Sequence, residues 1–166
     1  MADTVSCVDV DGVVHEVAID RLGWRPSAYA IVIKDNALLV SPQLNGYDLP
    51  GGGIELGEMP EAAVIREVKD ETGITVANPR LLAGASNFFK LPVGDAGAFV
   101  QSILLYYVCD FIAGELSDDG FTDYEKQFTK FPEWLTLDTL DIKLAKGRLG
   151  SSYDWRPLIK IVVTQL

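Results

Sequence analysis

The stretch from Pro60 to Gly73 constrains this chain more tightly than any other. Proline suits the first position of a helix, where its missing N–H has no partner to lose, and glycine suits the position just past the end. The spacing predicts a helix from about Pro60 to Thr72. On it, Glu67, Asp70 and Glu71 stand at i, i+3 and i+4 and share one arc. Val64, Ile65, Val68 and Thr72 take a neighbouring arc that packs on a sheet. The fold must therefore supply a sheet for the apolar arc and a counterpart for the acids.

The acidic arc is costly on its own. Like charges at these spacings cost about 0.2–0.5 kcal/mol per pair. The helix macrodipole disfavours anions in the C-terminal half by about 0.3–1 kcal/mol each. Three consecutive glycines, Gly51, Gly52 and Gly53, precede the helix and add an entropic cost of about 0.5–1 kcal/mol apiece. Several local rules broken in one place mark a functional site. A divalent cation resolves the conflict, since Mg²⁺ takes one or two carboxylates and keeps waters for substrate phosphates. Taken alone, an acid-rich helix is most often a solvated face and a glycine triplet most often a turn. Their joint spacing is what favours a site.

Elsewhere the pattern mixes strands and helices without regular alternation. Residues 5–10 and 13–19 read as a hairpin turning at Asp11-Gly12. Residues 21–26 read as a connector. Strands are expected at Ala28–Ile33 and Ala37–Val40, joined by Lys34-Asp35-Asn36, and at Tyr47–Leu49, running into a glycine loop. Further strands are expected at Arg80–Leu91, Phe99–Phe111 and Phe131–Leu135, with a polar surface loop over 113–130. Thr136–Lys146 and Tyr153–Gln165 read as helices. The fold class is α/β, a mixed sheet flanked by helices. Residues 1–24 are expected to form an N-terminal extension and 25–166 a single domain.

With 166 residues the chain can bury the core of one domain. Its net charge of −10 repels a polyanion, which argues against duplex nucleic acid. A small phosphate ester stays compatible, because a bound cation inverts the local sign. Cys7 and Cys109 form no metal-ligand pattern and fit free thiols in a reducing cytosol. No signal peptide is seen, nor an apolar run of the ~18 residues that a membrane span needs, so the expected location is cytoplasmic.

The run Gly52-x5-Glu58-x7-Arg66-Glu67-Val68-x-Asp70-Glu71-x-Gly73-Ile74 resembles the box of the Nudix hydrolase family, GX5EX7REUXEEXGU with U an apolar residue. Asp70 alone departs, standing where the family usually has Glu. Chance agreement at the six matching fixed positions is on the order of 10⁻⁷ per starting residue. The resemblance, which is MutT-like, implies an α/β/α sandwich with a central mixed sheet. It implies a metal-dependent hydrolase that cleaves the diphosphate linkage of a nucleoside triphosphate or nucleotide derivative, with nucleotide-pool housekeeping as one role.

By position, the resemblance makes Glu67, Glu71, Asp70 and Glu58 the candidate metal ligands, for Mg²⁺ or in its place Mn²⁺. Asp70 is one methylene shorter than Glu, which puts direct ligation by it in question. Glu67 is the first candidate for general base, and Glu133 leads those outside the box, ahead of Glu115, Asp118, Asp119, Asp123 and Glu125. Arg66 is expected to orient the glutamates through charge-assisted hydrogen bonds. Gly52 and Gly53 let backbone and substrate approach closely. Tyr47, with Phe88, Phe89 and Trp134, is a candidate to stack on a base. Arg25, Lys90 and Lys126 are cations that a phosphate could meet, and nothing in the sequence separates them. The expected partner is a small nucleotide, with no membrane and with a homodimer as a further hypothesis. The alternative reading is a catalytically weak sensor that binds a nucleotide on the same fold.

Overall fold

Alternation of side chains along two adjacent parallel strands organises the molecule. The computed structural model describes residues 3–9, 12–43, 46–91, 98–121, 126, 129–138, 148–149 and 153–165. The strands are β1 (Thr4–Val8), β2 (Val14–Ala18), β3 (Gly23–Ile31), β4 (Ile33–Lys34), β5 (Ala37–Gln43), β6 (Gly46–Asp48) and β7 (Gly51–Gly53). Then come helix α1 (Pro60–Thr72), β8 (Thr75–Lys90), β9 (Phe99–Ala113), β10 (Glu133–Thr136), β11 (Arg148–Leu149) and helix α2 (Arg156–Val163). Six strands make one sheet in the order β2-β1-β8-β9-β3-β7, and β10-β5-β6-β11 make a second, with β4 paired to β5. β3 runs parallel to β9, with Ala28 opposite Leu105, while β8 runs antiparallel to β9. Both sheets are mixed.

Successive residues of a strand face opposite sides. Ala28 and Ala30 of β3, with Tyr107 and Cys109 of β9, face α1 and join a core with its Ala63, Val64 and Val68. Tyr29 and Ile31, with Leu104 and Tyr106, face the other way, toward Trp155, Leu158, Ile159 and Val162 of the α2 region. Helices thus cover both faces of the sheet, which is the α/β/α arrangement expected. The small Ala28 and Ala30 let α1 lie close to β3, so acids on α1 come against the backbone of neighbouring β7.

α1 has the bounds that Pro60 and Gly73 predict. The turn at Asp35-Asn36 puts both residues in the left-handed region, φ 48° and 60°, as a two-residue hairpin turn requires. Three local expectations fail. Residues 23–26 are the start of β3 and not a connector. Pro26 is tolerated there because its carbonyl accepts from Ile54 N–H on the side where β7 has ended, so the missing N–H faces no partner strand. Gly51–Gly53 is likewise a strand and not a loop, paired with Tyr29, Ala28 and Ser27. β8 also starts early, at Thr75, and register shifts with Asn78 at φ 50° hid its alternation. The hairpin β1–β2 is present, with Asp11 of its turn outside the described residues. Most of the helix expected at Thr136–Lys146 also lies outside them. No helix among the described residues is long and apolar enough to cross a membrane.

Candidate functional site

The acid-bearing half of α1 is locked at its C-terminus. Gly73 takes φ 74°, and its N–H caps the carbonyl of Lys69. The segment after β9 wraps this end, with Ser117 N–H donating to Thr72 O at 3.0 Å. Gly120 passes so close that an added Cβ would lie 2.3 Å from the Asp70 carbonyl oxygen. These contacts satisfy helix carbonyls and fix the acids against β7.

Glu67 and Glu71 are each 8% exposed. The N–H of Gly51 donates to Glu71 Oε2 at 3.0 Å. The place a side chain would take at Gly52 belongs to Glu67, whose Oε1 would be 2.7 Å from an added Cβ. Arg66 ties the cluster together. Its Nε and Nη2 donate to the two oxygens of Glu58, both at 2.8 Å, its Nη1 to Glu67 Oε1 at 2.9 Å, and its Nη2 also to Gly53 O at 3.2 Å. Glu58 accepts a further bond from Glu55 N–H. The Arg66 hydrogen bonds, helped by that N–H, hold the Glu58 carboxyl down at about 2, and the same bonds push the Arg66 guanidinium up.

The other residues named from sequence are placed differently. Asp70 is exposed, whereas Glu67 and Glu71 are buried. Glu133 opens β10 opposite Val40 and is half-buried. Tyr47 packs at the margin of the α2-side core. Ser117 Oγ donates to Asp119 at 2.7 Å, which anchors the loop locally. Asp123 and Glu125 lie outside the described residues.

A second group of polar residues adjoins the glycine strand from its other face. Arg25 Nη1 donates to Ser27 Oγ at 2.6 Å, and the guanidinium also bonds the Tyr29 hydroxyl. An added Cβ at Gly53 would lie 3.5 Å from Arg25 Nη2. Burial, reinforced by the charge of Asp48, pushes the Tyr29 phenol up to about 12. Asp48 itself is buried, which raises its carboxyl to about 7 against the opposing pull of Leu49 N–H and Trp155. Trp155 lies close enough to exert that pull, yet its Nε1 makes no close hydrogen bond among the described residues. Reading 21–26 as a connector concealed this group. Once 23–31 is a strand, Arg25, Ser27 and Tyr29 follow at i, i+2 and i+4 on one face.

Among the described residues no three His, Cys, Asp or Glu side chains converge into a closed metal cage. An octahedral cation such as Mg²⁺ does not need one, as one or two carboxylates with water and phosphate oxygens complete its shell. Glu67 and Glu71 offer hard oxygen donors one helical turn apart. The bare backbone of Gly51 and Gly52 leaves the approach to them free of side chains. The donor set fits a divalent cation.

A family model for the NUDIX domain matches residues 23–155. An ADP-ribose pyrophosphatase from Methanocaldococcus jannaschii is 38% identical over 91 residues, which cover 52% of this chain and 50% of that protein. An RNA pyrophosphohydrolase from Psychromonas ingrahamii is 35% identical over 79 residues, covering 45% of this chain and 44% of that protein. The matched part thus spans about half the length of these curated relatives. Among solved structures, a NUDIX hydrolase from Nitrosomonas europaea superimposes with a TM-score of 0.58 at 18% identity, over 86% of this chain and 87% of that one. That likeness shows the same fold.

Proposed function

This chain belongs to the Nudix family, and on that premise we propose that it is a Mg²⁺-dependent hydrolase splitting the diphosphate linkage of a small nucleotide derivative. The observation that carries the reading is the pair Glu67 and Glu71, buried against a side-chain-free strand at the end of a clamped helix. Nudix hydrolases generally depend on a divalent metal. Glu67 and Glu71 would hold the ion, with Glu58 tied to the cluster through Arg66 and Asp70 at most reaching it through water. The ion would offset charge building on the phosphate oxygens and lower the pKa of a bound water.

The chain's own residues have separate tasks. A carboxylate takes the proton as water attacks phosphorus, and Glu67, beside Gly52, is the candidate. Attack forms a new P–O bond and breaks the bond to the bridging oxygen, which leaves on the second phosphate. Arg66 keeps Glu67 oriented through a charge-assisted bond and holds Glu58 ionised. Gly51 orients Glu71 by donating its N–H to Oε2.

The relatives' names point to ADP-ribose and to RNA as classes to test. A net charge of −10 disfavours a long polyanion, so ADP-ribose and similar nucleoside diphosphate derivatives come first. The test is release of nucleoside monophosphate from ADP-ribose, dinucleotides, dinucleoside polyphosphates and nucleoside triphosphates, with and without Mg²⁺. Metal-dependent release from at least one supports the reading. No release from any overturns it.

A further inference from the structure

The glycine strand β7 is bare on both faces, and the groups that use its two faces carry opposite charge. On the α1 side, the space at Gly52 belongs to the Glu67 carboxylate. On the other side, Tyr29 fills the space at Gly51 and the Arg25 guanidinium stands at the space of Gly53. Among the described strands β7 is the last in its sheet. A group lying over its edge can therefore meet carboxylates from one side and a guanidinium from the other.

Arg25 differs in its partners from Arg66, Arg80 and Arg156. Arg66 meets Glu58 and Glu67, Arg80 meets Asp110, and Arg156 meets Asp154. Arg25 bonds two hydroxyls instead, those of Ser27 and Tyr29, and pairs with no carboxylate among the described residues. Ser27 is wholly buried and its hydroxyl also neighbours that of Ser102, which donates to Arg25 O at 2.7 Å. The guanidinium is thus held in place by neutral partners, and its charge is not neutralised by them. Its five donors suit a planar, two-point contact with a phosphate.

We infer that Arg25 is the substrate's phosphate anchor outside the box, gripping one phosphate of the diphosphate across the edge of β7 from the carboxylate pair. Ser27 and Tyr29 are positioning residues that aim the guanidinium. This inference rests on the diphosphate reading of the site. It also separates Arg25 from Lys90, which lies over the Phe99 ring far along the sheet from the glycine strand.

The experiment is calorimetric titration of the full chain with α,β-methylene-ADP in Mg²⁺, a probe that carries both phosphates and resists cleavage. Arg25→Gln should weaken binding at least tenfold. Arg25→Lys, which keeps the stem and charge without the fork, should lose less, and Ser27→Ala should lose a few-fold. Arg80→Gln serves as a surface control and should bind as the parent does. Thermal melts identify any variant that fails to fold, and Arg25→Lys then carries the comparison. Equal affinity for parent and Arg25 variants overturns the inference, as does absence of binding by the parent chain. Hydrolysis by the parent chain with unaltered KM in Arg25→Gln would overturn it while leaving the hydrolase reading intact. A parent chain that binds the probe through Arg25 but hydrolyses nothing would retain the anchor and refute the hydrolase.

Discussion

Glu67 keeps its carboxylate in the volume that a side chain at Gly52 would occupy, with Oε1 only 2.7 Å from where a Cβ would stand. The absence of a side chain at one residue is thus a condition for the placement of another, fifteen positions later in the sequence. The atom in the way is the end of a flexible side chain, so Gly52→Ala can be accommodated if Glu67 swings aside. Stability should fall by less than about 1 kcal/mol, below the usual overpacking cost. Activity should fall on the order of 100-fold, the effect of misplacing a reacting group by about 1 Å. Paired urea unfolding and initial-rate measurements check both.

Arg66 grips Glu58 with two donors and Glu67 with a third, a pattern that lysine cannot copy. Arg66→Lys should lower kcat at least tenfold with a smaller change in KM. The depressed Glu58 carboxyl gives a matching pH signature. A carboxyl held at about 2 when folded contributes stability that is present above its ordinary value and lost as pH falls toward 2. The difference in melting temperature between the parent and Glu58→Gln should therefore be largest at pH 5 and above, and shrink as the pH falls from about 4.5 to 2. A difference that stays constant across that range would refute the pairing.

Asp48 has the opposite sign. Its folded carboxyl is raised to about 7, so the folded state binds a proton that the unfolded chain has already released. The stabilisation is complete below the ordinary carboxyl range and is lost as pH climbs toward 7. Asp48→Asn keeps an acceptor for Leu49 N–H without a charge to bury. Unfolding free energy measured from pH 4 to 8 should drop for the parent by on the order of a few kcal/mol more than for the Asn variant. Parallel curves would contradict this.

Gly120 crosses the C-terminal turn of α1 where an added Cβ would meet the Asp70 carbonyl at 2.3 Å. Backbone cannot yield as a side chain does. Gly120→Ala should cost roughly 1–3 kcal/mol and lower activity together with stability, since the clamp also seats Glu71. Chemical denaturation of the purified variant is the check.

The helix and its acids were legible because Pro60, Gly73 and the i, i+3, i+4 spacing are local signals that the packing reinforces. The two-faced arrangement of the sheet followed from the strand patterns in outline. What the sequence concealed lay in segments whose roles are set by distant neighbours. Gly51–Gly53 is extended because β3 pairs with it, and three glycines carry no strand propensity of their own. Pro26 masked the start of β3, since its tolerance depends on β7 ending opposite it. With that strand hidden, Arg25 could not be distinguished from other surface cations. Asp70 was named from the helix spacing and Glu133 through the family pattern. The fold leaves the first exposed and sets the second, half-buried, at the start of β10.

We propose Glu67 and Glu71 as the metal-holding pair of a diphosphate hydrolase. The most direct measurement is the rate of ADP-ribose cleavage against Mg²⁺ concentration for the parent chain, Glu67→Gln and Glu71→Gln, with the wider nucleotide panel in parallel. The expected result is saturable, chelator-sensitive turnover by the parent. Each variant should lose at least 100-fold in rate and require more Mg²⁺, while keeping its fold by circular dichroism. Turnover that persists in both variants, or that is indifferent to Mg²⁺, would contradict the claim.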